Sequence, residues 1–420
     1  MKFTTASEAV KDVQSGDRVY VHAASATPTI LTDALTERAN ELKDVEMCHI
    51  HTYGEAKYAD IKYKDSFFVN SLFTGSNVRH TIKQGNGSYT PIFLSEMGKA
   101  IMKGDLKVDV VFIQVSVPDK NGYCSLGTSV ENLREAMSTS RVVIAQVNKF
   151  MPRTFGDTFI HVSKITHLVE HHTPLYSMTM GEPTTEEKTI GNFIAQLIED
   201  KSCLQMGIGS IPNAVLTNLT HHKGLGIHTE MFSDGIIPLV KSGVITGEHK
   251  GILKGKIVST FADGSQDLYD FINDNPIIEM RSAGFTNDLV NISKNDRMIS
   301  INSAIEVDVT GQVCADSIGP KVFSGVGGQL DFITGAARSN GGKSILALTS
   351  TTNKGVNKIV PFLKNGAGVV TTRAQVDYIV TEFGVAKLYG RSIRDRVKSM
   401  AEIAHPNFRE QILKEYYDSI

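Results

Sequence analysis

The chain has 420 residues, 41% of them apolar and 21% charged, and its 43 basic and 45 acidic side chains leave a net charge of −2. That balance argues against the basic surface of a nucleic-acid binder, and no apolar run approaches the ~18 residues that a membrane span needs. The length exceeds one ordinary domain, so two or three are expected.

The first seventeen residues read as an amphipathic helix beginning near Thr5 or Ser7, without the apolar core of a signal peptide. β-rich runs at 18–23, 46–52, 66–73, 108–116 and 141–147 predict strands. Between them, 29–42 and 129–140 predict helices, the second capped by Thr128 or Ser129. This alternation is the signature of an α/β fold around a mostly parallel, buried sheet. The polar stretch GEPTTEEKTI (181–190) then marks a boundary near 185, giving domains 1–185 and 186–420. Beyond it the pattern restarts. Helices are predicted at 189–200 and 211–220, and strands at 202–206, 224–229, 254–262, 297–311 and 368–384. Thr310-Gly311 reads as a tight turn between antiparallel strands, which predicts a mixed sheet in the second half.

Cys48, Cys124, Cys203 and Cys314 lie far apart, and no CxxC pair occurs. A reduced, cytoplasmic setting follows. The histidines include two adjacent doublets, His171-His172 and His221-His222, but no metal-ligand spacing, so no metal is expected.

Three motifs suggest chemistry. In QMGIGSIPNAV (205–215), Gly207 and Gly209 follow a strand, and Pro212 suits the first helical turn. Such a turn brings backbone N–H groups close to a phosphate or a developing oxyanion, although a plain strand–helix turn is an equal reading. The glycine-rich run SGVGGQLDFITGAARSNGGKS (324–344) is expected to be loop throughout. Its Gly325, Gly327 and Gly328 would admit a bulky cofactor, and Arg338 and Lys343 would meet its phosphates. Glu230, in HTEMFSDG, falls between an apolar strand and an apolar helix, about one strand–helix unit after the glycine turn. Ligands of open α/β sheets gather at such carboxyl ends of strands. A solvated surface glutamate is the plainer alternative.

Taken together, QMGIGSIPNAV, GIHTEMFSDG, GFTND (284–288), INSAIEVD (301–308) and SGVGGQLDF (324–332) resemble the acetyl-CoA hydrolase/transferase family. So do VSVPDKNGYCSLGTS (115–129) and GSYTPIFLSEM (87–97) in the first half. The resemblance implies two α/β domains of the CoA-transferase type (NagB/RpiA/CoA-transferase-like) with mostly parallel or mixed sheets. It implies that Glu230 is a nucleophile that carries CoA as a glutamyl thioester, with Gln205 and Asn287 beside it. It assigns Gly207, Ile208, Gly209, Ser210 and Ile211, Asn302, Ala304 and Ile305, and Gly327 and Gly328 to the CoA side. Residues 125–129 would help to form the acyl pocket.

The implied substrates are acyl-CoA, acetate and a short-chain carboxylate such as butyrate or 4-hydroxybutyrate. CoA would be both substrate and covalent intermediate, with no tightly bound cofactor. A cytoplasmic homodimer is expected, with no nucleic-acid or membrane partner. Alternatives are an acyl-CoA hydrolase using the same glutamate, a sugar-phosphate isomerase of related architecture, and a non-catalytic CoA-binding protein.

Overall fold

The computed structural model describes residues 2–178, 181–207 and 209–420. The chain divides into two compact units, Met1–Thr179 with Val258–Thr286, and Met180–Ile257 with Asn287–Ile420. The segment 258–286 groups with the first unit, so this division is made of discontinuous pieces. The polar stretch read as the boundary holds the start of the helix Thr185–Leu197, with a capping box between Thr184 and Glu187. Its charges are helix-start signals, since acidic groups in a first turn meet the positive end of the helix dipole.

In the first unit, eight strands form one sheet in the order Phe3–Thr4, His167–Glu170, Val142–Val147, Val110–Val115, Arg18–Val21, Val45–His49, Phe67–Ser71, Gly87–Tyr89. Every neighbouring pair is parallel. The central strands VVFIQV and VVIAQV are buried at every position, which is why they read as continuous apolar runs rather than alternating ones. The helix Leu94–Lys103 buries Leu94, Met97, Gly98 and Ile101, a single stripe at helical spacing.

The helix expected over 129–140 begins only at Leu133. Ahead of it Glu131 takes a left-handed conformation (φ +38°). Its buried carboxyl accepts from the Tyr20 hydroxyl at 2.7 Å and the Ala23 N–H at 2.8 Å. Burial pushes its pKa up to about 7. Neither Thr128 nor Ser129 caps the helix: Thr128 accepts from the Ser25 hydroxyl at 2.9 Å, and the cap position belongs to Asn132.

In the second unit the strands Gly226–His228, Cys203–Met206, Met298–Ser303, Lys343–Ala347 and Tyr378–Thr381 run parallel in that order, and Gly384–Lys387 closes the edge antiparallel. The mixed sheet thus comes from this hairpin. The turn at Gly311 (φ +98°) joins Glu306–Asp308 to Val313–Cys314 in a separate three-stranded sheet.

The glycine-rich run is not loop throughout. Gln329–Arg338 is a helix, with glycines on both flanks and only Gly335 inside. A Cβ at Gly335 would lie 2.4 Å from Ile292 Cγ2, so this glycine lets two helices pack closely. Among the described residues no helix is long and apolar enough to cross a membrane.

Candidate active site

The second unit's sheet delivers its functional groups at the carboxyl ends of two neighbouring strands. Cys203–Met206 is wholly buried and leads into the glycine turn. Gly209 adopts φ +132°, a conformation that strains other residues, and precedes the helix Ser210–Thr217. Ser210 hydrogen-bonds Glu187 of the preceding helix. Ile208 lies outside the described residues. Beside this strand runs Gly226–His228, also buried, with Cys203 opposite Gly226 and Leu204 opposite Ile227.

Thr229 follows the second strand. Its hydroxyl accepts from the Met206 N–H at 3.3 Å and donates to the Met231 carbonyl at 2.8 Å. That stitch ties the end of one strand to the end of the other and sets the direction in which Glu230 leaves the sheet.

Asn287, fully buried, comes from the turn before the helix Leu289–Ser293, whose N-cap is Asp288. The Asn287 Nδ2 donates to Glu230 Oε2 at 3.2 Å and to Asp331 Oδ2 at 3.2 Å. Gly328, the N-cap of Gln329–Arg338, completes the group. A Cβ there would sit 2.0 Å from Asn287 Nδ2 and 2.0 Å from Glu230 Oε2. The carboxylate therefore rests directly on main chain at the start of a ten-residue helix, where unpaired N–H groups and the helix dipole favour negative charge. Gly327, at φ +54°, makes the bend that brings Gly328 in.

The sequence-assigned residues thus fall into three groups. Glu230, Asn287 and Gly328 meet. Gln205 and Asn302 form a second pair, with reciprocal amide contacts at 3.3 and 3.1 Å across adjacent strands, and Asn302 also donates to Ser300 Oγ at 3.0 Å. Gly207 and Gly209 lie between the strand and the helix Ser210–Thr217, which Ser210 and Ile211 open, and a Cβ at Gly207 would meet nothing within 4 Å among the described residues. Ala304 and Ile305 continue from the end of Met298–Ser303, and the Ile305 N–H is tied to the Cys314 carbonyl at 2.9 Å.

Two expected phosphate ligands lie elsewhere. Lys343 starts its strand, at the sheet end opposite Glu230, where its ammonium binds the Leu197 carbonyl and Glu199 Oε1, both at 2.8 Å. Arg338 ends the helix whose first turn is at the site, roughly 15 Å away at 1.5 Å per residue.

Asp331 was not assigned from sequence. Its signal was available: an acidic residue three positions after Gly328, in the first turn of a helix that the glycine density hid.

Models of the acetyl-CoA hydrolase/transferase N-terminal and C-terminal domains match residues 1–177 and 264–416. The chain belongs to the acetyl-CoA hydrolase/transferase family. It is 46% identical to 4-hydroxybutyrate coenzyme A transferase of Clostridium kluyveri, over 99% of this chain and 97% of that one. It is 44% identical to a succinyl-CoA:acetate/propanoyl-CoA:succinate CoA transferase of Fasciola hepatica, over 97% of this chain and 86% of the relative. The crystal structure of a 4-hydroxybutyrate CoA-transferase from Porphyromonas gingivalis superposes with a TM-score of 0.85 at 36% identity, covering 100% of this chain and 98% of that one. This member of the family is an enzyme of the CoA-transferase class, with the two-domain α/β architecture of its structural neighbours.

Proposed function

We propose that the chain moves CoA between a short-chain acyl-CoA and a carboxylate acceptor such as acetate, with Glu230 as the covalent carrier. The observation that carries this reading is the packing of Glu230 Oε2 against both Asn287 Nδ2 and the Gly328 main chain. A nucleophilic carboxylate and donors for an oxyanion stand at one point.

A Glu230 oxygen attacks the thioester carbonyl of acyl-CoA, the C–S bond breaks, and CoA leaves as thiolate from a mixed acyl–glutamyl anhydride. The thiolate attacks the glutamyl carbonyl and expels the first carboxylate, leaving a glutamyl-CoA thioester. The acceptor carboxylate attacks that thioester, and the same steps run in reverse. Each addition passes through an oxyanion on the glutamyl or acyl carbon, for which the Asn287 amide and the first-turn N–H groups at Gly328 are the available donors.

Gly207, Gly209 and Ser210 and the segment Asn302–Ile305 suit the CoA side, since they follow the carboxyl ends of neighbouring parallel strands. The names of the relatives suggest the acyl partners 4-hydroxybutyrate and succinate, and acetate as acceptor. The same reading takes CoA as a substrate, with no tightly bound cofactor. It also takes the protein as cytoplasmic, in keeping with four separate, buried, unpaired cysteines, and as a homodimer.

The test is product analysis. Acetyl-CoA with butyrate or 4-hydroxybutyrate should give the new acyl-CoA, with parallel-line initial-rate plots and little free thiol. Free thiol released at the same rate with and without the acid would make the enzyme a hydrolase instead.

A further inference from the structure

The Asn287 amide nitrogen serves two carboxylates at once, Glu230 Oε2 and Asp331 Oδ2, each at 3.2 Å. A primary amide carries two N–H bonds on one side and an acceptor oxygen on the other. Here both bonds are spoken for, and Asn287 Oδ1 is buried with no hydrogen-bond partner among the described residues. The alternative rotamer, turned about the last side-chain bond, would place the amide oxygen against two carboxylates. Asp331 is itself buried, and it is held in the first turn of Gln329–Arg338, the helix whose N-cap is Gly328.

We propose that Asp331 is a positioning residue that acts through Asn287. It takes one amide N–H so that the other stays aimed at Glu230. The inference rests on Glu230 being the reacting carboxylate. As that carboxylate becomes an anhydride and then a thioester, its charge disappears, and with it much of the attraction that orients the amide. Asp331 keeps its place and keeps a donor on the glutamyl oxygen at the moments when that oxygen becomes an oxyanion. Without Asp331, the amide of an acylated enzyme is free to turn its oxygen toward the intermediate. Asp331 makes no bond to substrate in this account, and no proton or electron pair passes through it.

The test is a double-mutant cycle on the whole enzyme, with Asn287→Ala, Asp331→Ala, the double variant and Asp331→Asn, reading kcat and the KM for acyl-CoA. Asp331→Ala should lower kcat about 10- to 100-fold, less than the ~10²–10³-fold expected for removing the donor itself, and should leave KM within about threefold. The double variant should be no slower than Asn287→Ala alone, because Asp331 has nothing left to act through. Asp331→Asn, which keeps an accepting oxygen, should retain at least about a third of wild-type kcat.

An Asp331→Ala enzyme within threefold of wild type would overturn the proposal, and so would losses that multiply in the double variant. If Asp331→Ala does not fold, Asp331→Asn decides: a kcat as low as that of Asn287→Ala overturns the proposal. Glu230→Ala separates this from the underlying reading. An active Glu230→Ala removes the nucleophile assignment, whereas an inactive one with uncoupled Asn287 and Asp331 removes only the inference about Asp331.

Discussion

Replacing Gly328 by alanine tests the site through a single methyl group. The backbone there sits at φ −102° and ψ 12°, a bridge conformation open to alanine and outside the left-handed region that demands glycine. The methyl carbon, however, would stand 2.0 Å from both Glu230 Oε2 and Asn287 Nδ2, against 3.4 Å for ordinary contact. Either the glutamate and the asparagine move by about 1.4 Å or the start of the helix does. Displacements near 1 Å in a reacting group cost on the order of 10²-fold, and loss of one oxyanion donor costs ~10²–10³-fold. The two effects overlap here, so we expect kcat to fall by roughly 10²–10³, about 3–4 kcal/mol in the barrier, with Tm changed by only a few degrees. Stopped-flow or quenched single-turnover release of CoA from acyl-CoA, beside a thermal melt, measures both. A folded Gly328→Ala enzyme that reacts within tenfold of wild type would refute the claim that this main chain supports the reacting carboxylate.

Other expectations concern the scaffold. Glu131, raised from 4.5 to about 7 by burial, holds its proton in the folded chain where the unfolded chain has lost it. Its contribution to stability is therefore full below pH 4.5 and is lost as pH rises toward 7. Urea melts should show wild type losing about 2–3 kcal/mol relative to Glu131→Gln between pH 5 and pH 8. A difference that does not change with pH would contradict this; the lowered His22 and His49, both near 4, titrate in both proteins and cancel. Gly335→Ala, which drives a methyl group to 2.4 Å from Ile292, should cost about 1–3 kcal/mol in a denaturant melt. A neutral or stabilising result would mean that the two helices separate easily.

Much of this molecule was legible in its sequence because its signals are local. Continuous apolar runs such as VVFIQV announce strands covered on both faces, and Glu230 stands out as a charge at the end of such a strand. What was hidden depends on other parts of the chain. Residues 258–286 group with the first unit, and no local pattern of their own announces it. Counting glycines concealed the Gln329–Arg338 helix, because density over a long window cannot separate glycines that flank a helix from one that packs inside it. Lys343 looked like a phosphate ligand until strand direction placed it at the opposite end of the sheet. Asp331 and Asn287, 44 positions apart, become partners only through the packing of Leu289–Ser293 on Gln329–Arg338.

The central claim is that CoA rides on Glu230 between half-reactions. The direct measurement is the mass of the peptide containing Glu230 after incubation with acyl-CoA and no acceptor. The account predicts an added mass of CoA on that peptide. The adduct should disappear on adding acetate and be trapped by borohydride with loss of activity. Turnover of acyl-CoA with no adduct on that peptide, and no protection of activity by acetate, would contradict it.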